Sequence, residues 1–360
     1  MTGSGIVTVA RQEFRLRIRA GRWKLLLAIF FAVLLGFTAL LSTGLANLTE
    51  RDLAFKGTVI YGGLMLFVLG LALLVVPALA AQSVNGDRER GTLATLQVTR
   101  LSAAEITLGK FVAAWGTALV FLALTFPLVA YAVTQGGVPF LRVVVVTLVL
   151  AVLLGTVCAI SLWLSEVLTR TTTSGVLAYL AVFGLSVGTL ITFGLVTAVT
   201  AESRTQTYQN TCEGAPPDSG CIPSTETYQT TQTRTDRTWF LLAPNPFVVL
   251  ADAAPQLPAE RQDPSSDVNR DGLRARDLDP LGQIGQAVRD LRKPPSEAQN
   301  QGPSFLTPGF REEPLEPPAP APVWPIGLAI NVALGVGALV LTTRRLRTPT
   351  RNLPKGQRVA

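Results

Sequence analysis

Residues 58–80 read TVIYGGLMLFVLGLALLVVPALA, and the connector that follows, residues 81–108, reads AQSVNGDRERGTLATLQVTRLSAAEITL. The first string has no charged side chain. At 1.5 Å rise per residue it is long enough for a helix to cross about 30 Å of hydrocarbon. The second crowds Asp87, Arg88, Glu89, Arg90, Arg100 and Glu105 into a short stretch. A long charge-free run that ends in a knot of charge is the mark of a helix leaving a bilayer.

Working outward, the same alternation recurs along the chain. It predicts spans at 25–46, 58–80, 109–133, 140–165, 173–198 and 323–343. The expected fold is therefore an all-α polytopic membrane protein with six transmembrane helices. None of these runs holds a charge in its central part, and Arg142 and Glu166 fall at run ends, where snorkelling is cheap. Composition agrees. The 360 residues are 48% hydrophobic and 15% charged, against about a quarter charged in soluble domains, and the mean hydropathy is +0.38. The run after Lys24 is too long for a signal-peptide core and reads as a retained helix.

The short connectors set the orientation. With the N-terminus inside, Arg88, Arg90, Arg100 and Arg170 fall on the cytoplasmic side, together with the arginines of both ends of the chain. The short outer loops hold Arg51 and Lys56. This asymmetry places both termini in the cytoplasm of a cell-membrane protein, and it explains the net charge of +7 without nucleic acid. Residues 344–360 form a basic tail. Residues 1–24 mix Arg11, Arg15, Arg17, Arg19, Arg22 and Lys24 with Val9, Phe14, Leu16, Ile18 and Trp23. They suit an amphipathic helix in contact with membrane lipid headgroups, and the alternative is a solvated basic tail.

Residues 199–322 then form a large extracytoplasmic insert between the fifth and sixth spans, Thr/Gln-rich at first and Pro-rich near its end. The apolar stretches 239–250 and 281–291 are expected to form short helices against the membrane face. Cys212 and Cys221 are close in one outer loop, which favours a local disulfide in an oxidising compartment. Cys158, inside the fourth span, reads as a small buried apolar residue. Asp267, Asn269 and Asp271 spell DxNxDG, the first half of a calcium loop. Its twelfth position is Leu278 where a carboxylate is wanted, so a polar turn is the competing reading.

The connector at 81–108 carries the functional reading. Asp87 and Glu89 suit the start of a short helix, and Ser102 with Glu105 forms a capping box that starts the third span. Glu89-Arg90-Gly91-Thr92-Leu93, then Leu101-Ser102, then Glu105-Ile106 with Gly109-Lys110, resembles the connector of type-2 ATP-binding cassette (ABC) exporter permeases. Pro244-Asn245-Pro246-Phe247 is similar to that family more weakly. Asp87 replaces a usual Glu, and Arg100 replaces a usual Pro. No counterpart is placed for 199–235 and 255–320. The resemblance implies that Asp87, Arg88, Glu89, Arg90, Gly91, Thr92 and Leu93 form a coupling helix that docks on an ABC ATPase subunit. It also implies a homodimer, or a pair with a related permease chain.

Several classes are disfavoured. There is no GxxxxGK[ST] loop to cradle ATP phosphates, so ATP and Mg belong to the ATPase chain and no cofactor is assigned to this one, calcium apart. No acidic or basic group sits at mid-membrane, as ion-coupled transporters usually require. There is no His at all, which removes the commonest general base. The expected function is the membrane-spanning, non-enzymatic subunit of an ATP-driven exporter of lipophilic or amphipathic substrates. The alternative is a membrane-anchored sensor that binds a ligand through 199–322.

Overall fold

The computed structural model describes residues 3–19, 21–46, 53–81, 83, 85–86, 102–210, 224–256, 279–293 and 321–347. Each charge-free run is helical. The helices are α1 (Gly3–Arg19), α2 (Gly21–Gly44), α3 (Leu53–Ala80), α4 (Ala103–Ala123), α5 (Phe126–Thr134), α6 (Phe140–Val167), α7 (Thr171–Phe183), α8 (Thr189–Val199), α9 (Pro246–Ala253), α10 (Pro280–Asp290) and α11 (Trp324–Arg347). Six stretches are long and apolar enough to cross a membrane: Trp23–Gly44, Lys56–Ala80, Ala103–Thr134, Phe140–Val167, Thr171–Val199 and Trp324–Leu346. The six-span helical architecture is as the sequence predicts. The chain starts at one end of the bundle, here the near end, and after six crossings α11 finishes there.

The third span departs most from its expected limits. It begins at Ala103 rather than 109, because the capping box acts below the apolar run. Ser102 Oγ accepts from Glu105 N at 3.3 Å, and Glu105 Oε2 accepts from Ser102 N at 2.8 Å. The span also breaks between α4 and α5. Pro127 has no N–H to continue the ladder, and Thr125 Oγ instead bonds Leu122 O at 2.7 Å.

The core lies along α3 and α6, where Ile60, Leu64 and Leu69 pack with Leu150, Leu153 and Leu154, all of them buried. In these two spans 56% of the apolar window is buried, against 17% for the first span and 11% for the fifth. Those last two are peripheral and turn apolar faces outward. α1 lays one side on α4. Val9 is buried there, and a Cβ at Gly109 would come within 2.6 Å of the Val9 Cβ, so this approach needs glycine.

At the far end, the segment between the fifth and sixth spans folds back onto the bundle. Its two apolar stretches do form helices, α9 and α10. Among the described residues the one sheet is an antiparallel hairpin, β1 (Glu202–Asn210) with β2 (Ser224–Gln232), running from the Glu202↔Gln232 pair to Asn210↔Ser224. At its base Arg234 bonds both carboxylate oxygens of Asp236 at 3.0 Å. That guanidinium holds the Asp236 carboxyl below its ordinary range.

Arg142 corrects the sequence reading. It does not snorkel. It is fully buried, with Nη2 at 2.5 Å from Asp279 Oδ2. α10 brings that carboxylate down onto the end of α6, and pairing makes burial of the charge tolerable. A second carboxylate, Asp252, takes Arg289 Nε at 2.5 Å and accepts from the backbone amides at the entry to the last helix, Val323 N at 2.5 Å and Trp324 N at 2.7 Å.

The fifth span contains a π-helical turn, Gly184–Gly188, between α7 and α8. Widening a turn displaces the regular carbonyl ladder. Here Asn245 uses the opening, its Nδ2 donating to Ser186 O at 2.7 Å and Thr189 Oγ1 at 2.9 Å. The same Asn245 caps α9 by accepting from Phe247 N at 2.9 Å.

Candidate functional site

The root of the charged connector is held by four other helices. α3 ends at Ala80, and the chain continues in a turn, with Ser83 N donating to Ala80 O at 3.1 Å. Three bonds then fix it. Ser174 Oγ, near the start of α7, donates to Ala81 O at 2.9 Å. Lys110 Nζ, on α4, donates to Ser83 O at 2.9 Å. Asn85 N donates to Ser165 Oγ, near the end of α6, at 3.1 Å. Lys110 also pairs with Glu13 of α1 at 2.5 Å, so the N-terminal helix joins the set.

All of these groups are shielded. Lys110 is 1% exposed, and Ser83, Asn85, Ser165 and Ser174 are buried. In such surroundings a polar bond is stronger than in water, and its loss leaves a costly orphan. The connector re-enters the described structure at Ser102, where the capping box fixes the start of α4. Its two ends are therefore rigid, and a push on it would reach α3, α4, α6 and α7 together. At the end of α11, Arg345 reaches Val167 O at 3.4 Å and ties the last span to the same end.

The expected coupling residues Asp87, Arg88, Glu89, Arg90, Gly91, Thr92 and Leu93 lie outside the described residues. So do Cys212 and Cys221, and so do Asp267, Asn269 and Asp271. No group of three or more metal-ligating side chains is present among the described residues. The structure adds Ser83, Asn85, Ser165 and Ser174, which sequence reasoning passed over. Their signal was faint: small polar residues at the ends of apolar runs, a position that usually signifies only the bilayer boundary. Lys110 stood in the Gly109-Lys110 pair already singled out, and the structure bonds it to Glu13 and to Ser83 O.

A bundle of six apolar spans, with a charged connector pinned at its root, defines a multi-pass membrane protein. Residues 7–288 match the family model described as ABC-2 family transporter protein, and the chain belongs to that family. It is thus a membrane component of a transporter. No curated protein matches the chain. The match runs from α1 into α10, so it continues through 199–235 and part of 255–320, where the residues alone had offered no counterpart.

Proposed function

We propose that this chain is the permease subunit of an ATP-driven exporter, in the cell membrane with both termini cytoplasmic. A separate ATPase subunit, carrying ATP and Mg, docks on residues 87–93. The observation that carries this reading is the set of bonds to Ala81, Ser83 and Asn85, which fixes the connector to α4, α6 and α7 at its point of exit. A docking element needs such a footing, because a loose loop would absorb movement rather than pass it on. Two copies, or one copy with a related chain, form the pathway. The apolar spans suit a lipophilic or amphipathic substrate that moves outward as the ATPase pair closes.

Reversing the charge at the docking surface tests the reading. Glu89→Lys turns an attraction into a repulsion at a partly desolvated contact, a change that costs about 2–5 kcal/mol of association. Pull-down of the ATPase and permease-stimulated ATP hydrolysis should both fall, while membrane insertion is retained. Glu50→Lys, in the first outer loop, should change neither. Unaltered ATPase binding in Glu89→Lys and Arg90→Glu would overturn the proposal.

A further inference from the structure

α1 has two unlike sides. One docks on α4 through Gly5, Val9 and Glu13, and the only acidic residue of the helix, Glu13, is used there against Lys110. The other side carries Arg11, Arg15 and Arg19, all exposed. Four-residue steps place these three arginines within about 80° of the helix circumference. Apolar side chains border the stripe, with Val7 63% and Ile18 43% exposed along one edge and Leu16 59% along the other. A shallow groove follows the stripe past Val7, Arg11, Arg15 and Arg19. No acidic residue of α1 lies on this side.

The helix leads directly into the first span, whose Trp23 packs edge-on against Phe121 with ring centroids 5.4 Å apart. The arginine stripe therefore sits beside the point where the chain enters the bilayer and faces away from the bundle. A basic strip with apolar margins at that depth complements negatively charged headgroups with acyl chains beneath them.

We infer that the Arg11–Arg15–Arg19 face of α1 binds anionic phospholipid, and that occupancy is read by the connector root through Glu13, Lys110 and Ser83. The second half of this inference rests on the transporter reading above, and the first does not. Lipid held on one side of α1 presses its other side onto α4. There, Glu13 orients the ammonium that bonds Ser83 O, the carbonyl on which the connector hangs. Lipid charge thereby sets how firmly the docking element is seated.

Two measurements separate the parts. The full-length permease is reconstituted in vesicles of phosphatidylcholine mixed with phosphatidylglycerol, and the lipid in contact with it is read with spin-labelled phosphatidylglycerol. The wild type should enrich the labelled lipid, less so as salt is raised, because exposed charges are screened. The triple variant Arg11→Gln/Arg15→Gln/Arg19→Gln should lose roughly fivefold of the preference per arginine, while triple Lys substitution should keep most of it. No enrichment by the wild type, or full enrichment by the Gln variant, overturns the lipid site. In the second measurement, ATPase stimulation by the wild type should rise with the phosphatidylglycerol fraction. Glu13→Gln should retain lipid enrichment yet lose that rise. Stimulation that follows phosphatidylglycerol equally in Glu13→Gln overturns the link while leaving the lipid site standing.

Discussion

The two ends of the bundle are built from different bonds. At the far end, whole charges are paired out of water: buried Arg142 with Asp279, and half-buried Arg289 with buried Asp252. At the near end, among the described residues, the connector is held by serine hydroxyls, a backbone amide and two carbonyls, with the Lys110–Glu13 ion pair beside them. A buried ion pair has one good geometry and a steep penalty for leaving it. A hydroxyl bonded to a carbonyl gives up about 1 kcal/mol and can re-form with another partner. The far end thus carries the pairs that cost most to break, while each of these near-end hydroxyl bonds is individually weaker. The proposed mechanism, with an ATPase acting at the near end, would use that difference.

The largest test breaks the fastening. Arg142→Met leaves Asp279 buried without its counter-charge and should cost about 3–5 kcal/mol, read as a lower unfolding temperature of the purified protein. Arg142→Met/Asp279→Leu should recover most of the loss, because no lone charge is left inside. A double variant as unstable as the single one would show that the far end depends on shape rather than on charge pairing.

The hairpin offers the next test. The last β1–β2 pair is Asn210↔Ser224, so the chain leaves one strand and enters the other at neighbouring points, and Cys212 and Cys221 fall between these two in sequence. We propose that the two are joined, which would add about 2–3 kcal/mol in the chain-entropy view. Mass spectrometry of the unreduced protein should find one linked peptide. Two freely alkylated thiols would count against it.

A smaller effect should follow at the near end. Ser174→Ala removes the bond to Ala81 O and should cost about 1 kcal/mol, seen as faster amide exchange in residues 80–86 and little change elsewhere. If exchange quickens equally at both ends, the ends are not mechanically distinct. The smallest effect concerns Asp236. Its carboxyl titrates below the usual value near 3.9, so its pairing with Arg234 contributes fully above that value and is lost as pH falls through the lower, folded one. Resistance of the hairpin base to an acid protease should decline over that window, and Asp236→Asn should flatten the decline.

How much of this was readable in the sequence depends on distance along the chain. The six spans were legible because each is one uninterrupted apolar run. The start of α4 was legible because Ser102 and Glu105 are three residues apart. Arg142 was misjudged because its partner lies 137 residues away, and hydropathy says nothing about where a distant helix folds back. Gly184, Ser186 and Gly188 are ordinary small residues in an apolar run, and the wide turn that includes them has its use only through Asn245, contributed by another element. The anchors of the connector root were hidden for the same reason, since Ser165 and Ser174 have ordinary bilayer-edge positions until Ala81 and Asn85 are laid against them.

Asp252 has a consequence for how the protein is made. Its carboxylate seats the amides of Val323 and Trp324, which leave the ribosome 71 and 72 positions later. The sixth helix cannot find its final resting place on insertion alone. It must wait until α9 and α10 have folded and brought Arg289 and Asp252 together. Biogenesis then ends with a docking step, and a nascent chain cut before residue 323 would expose an acidic, unoccupied seat for quality-control proteases to find.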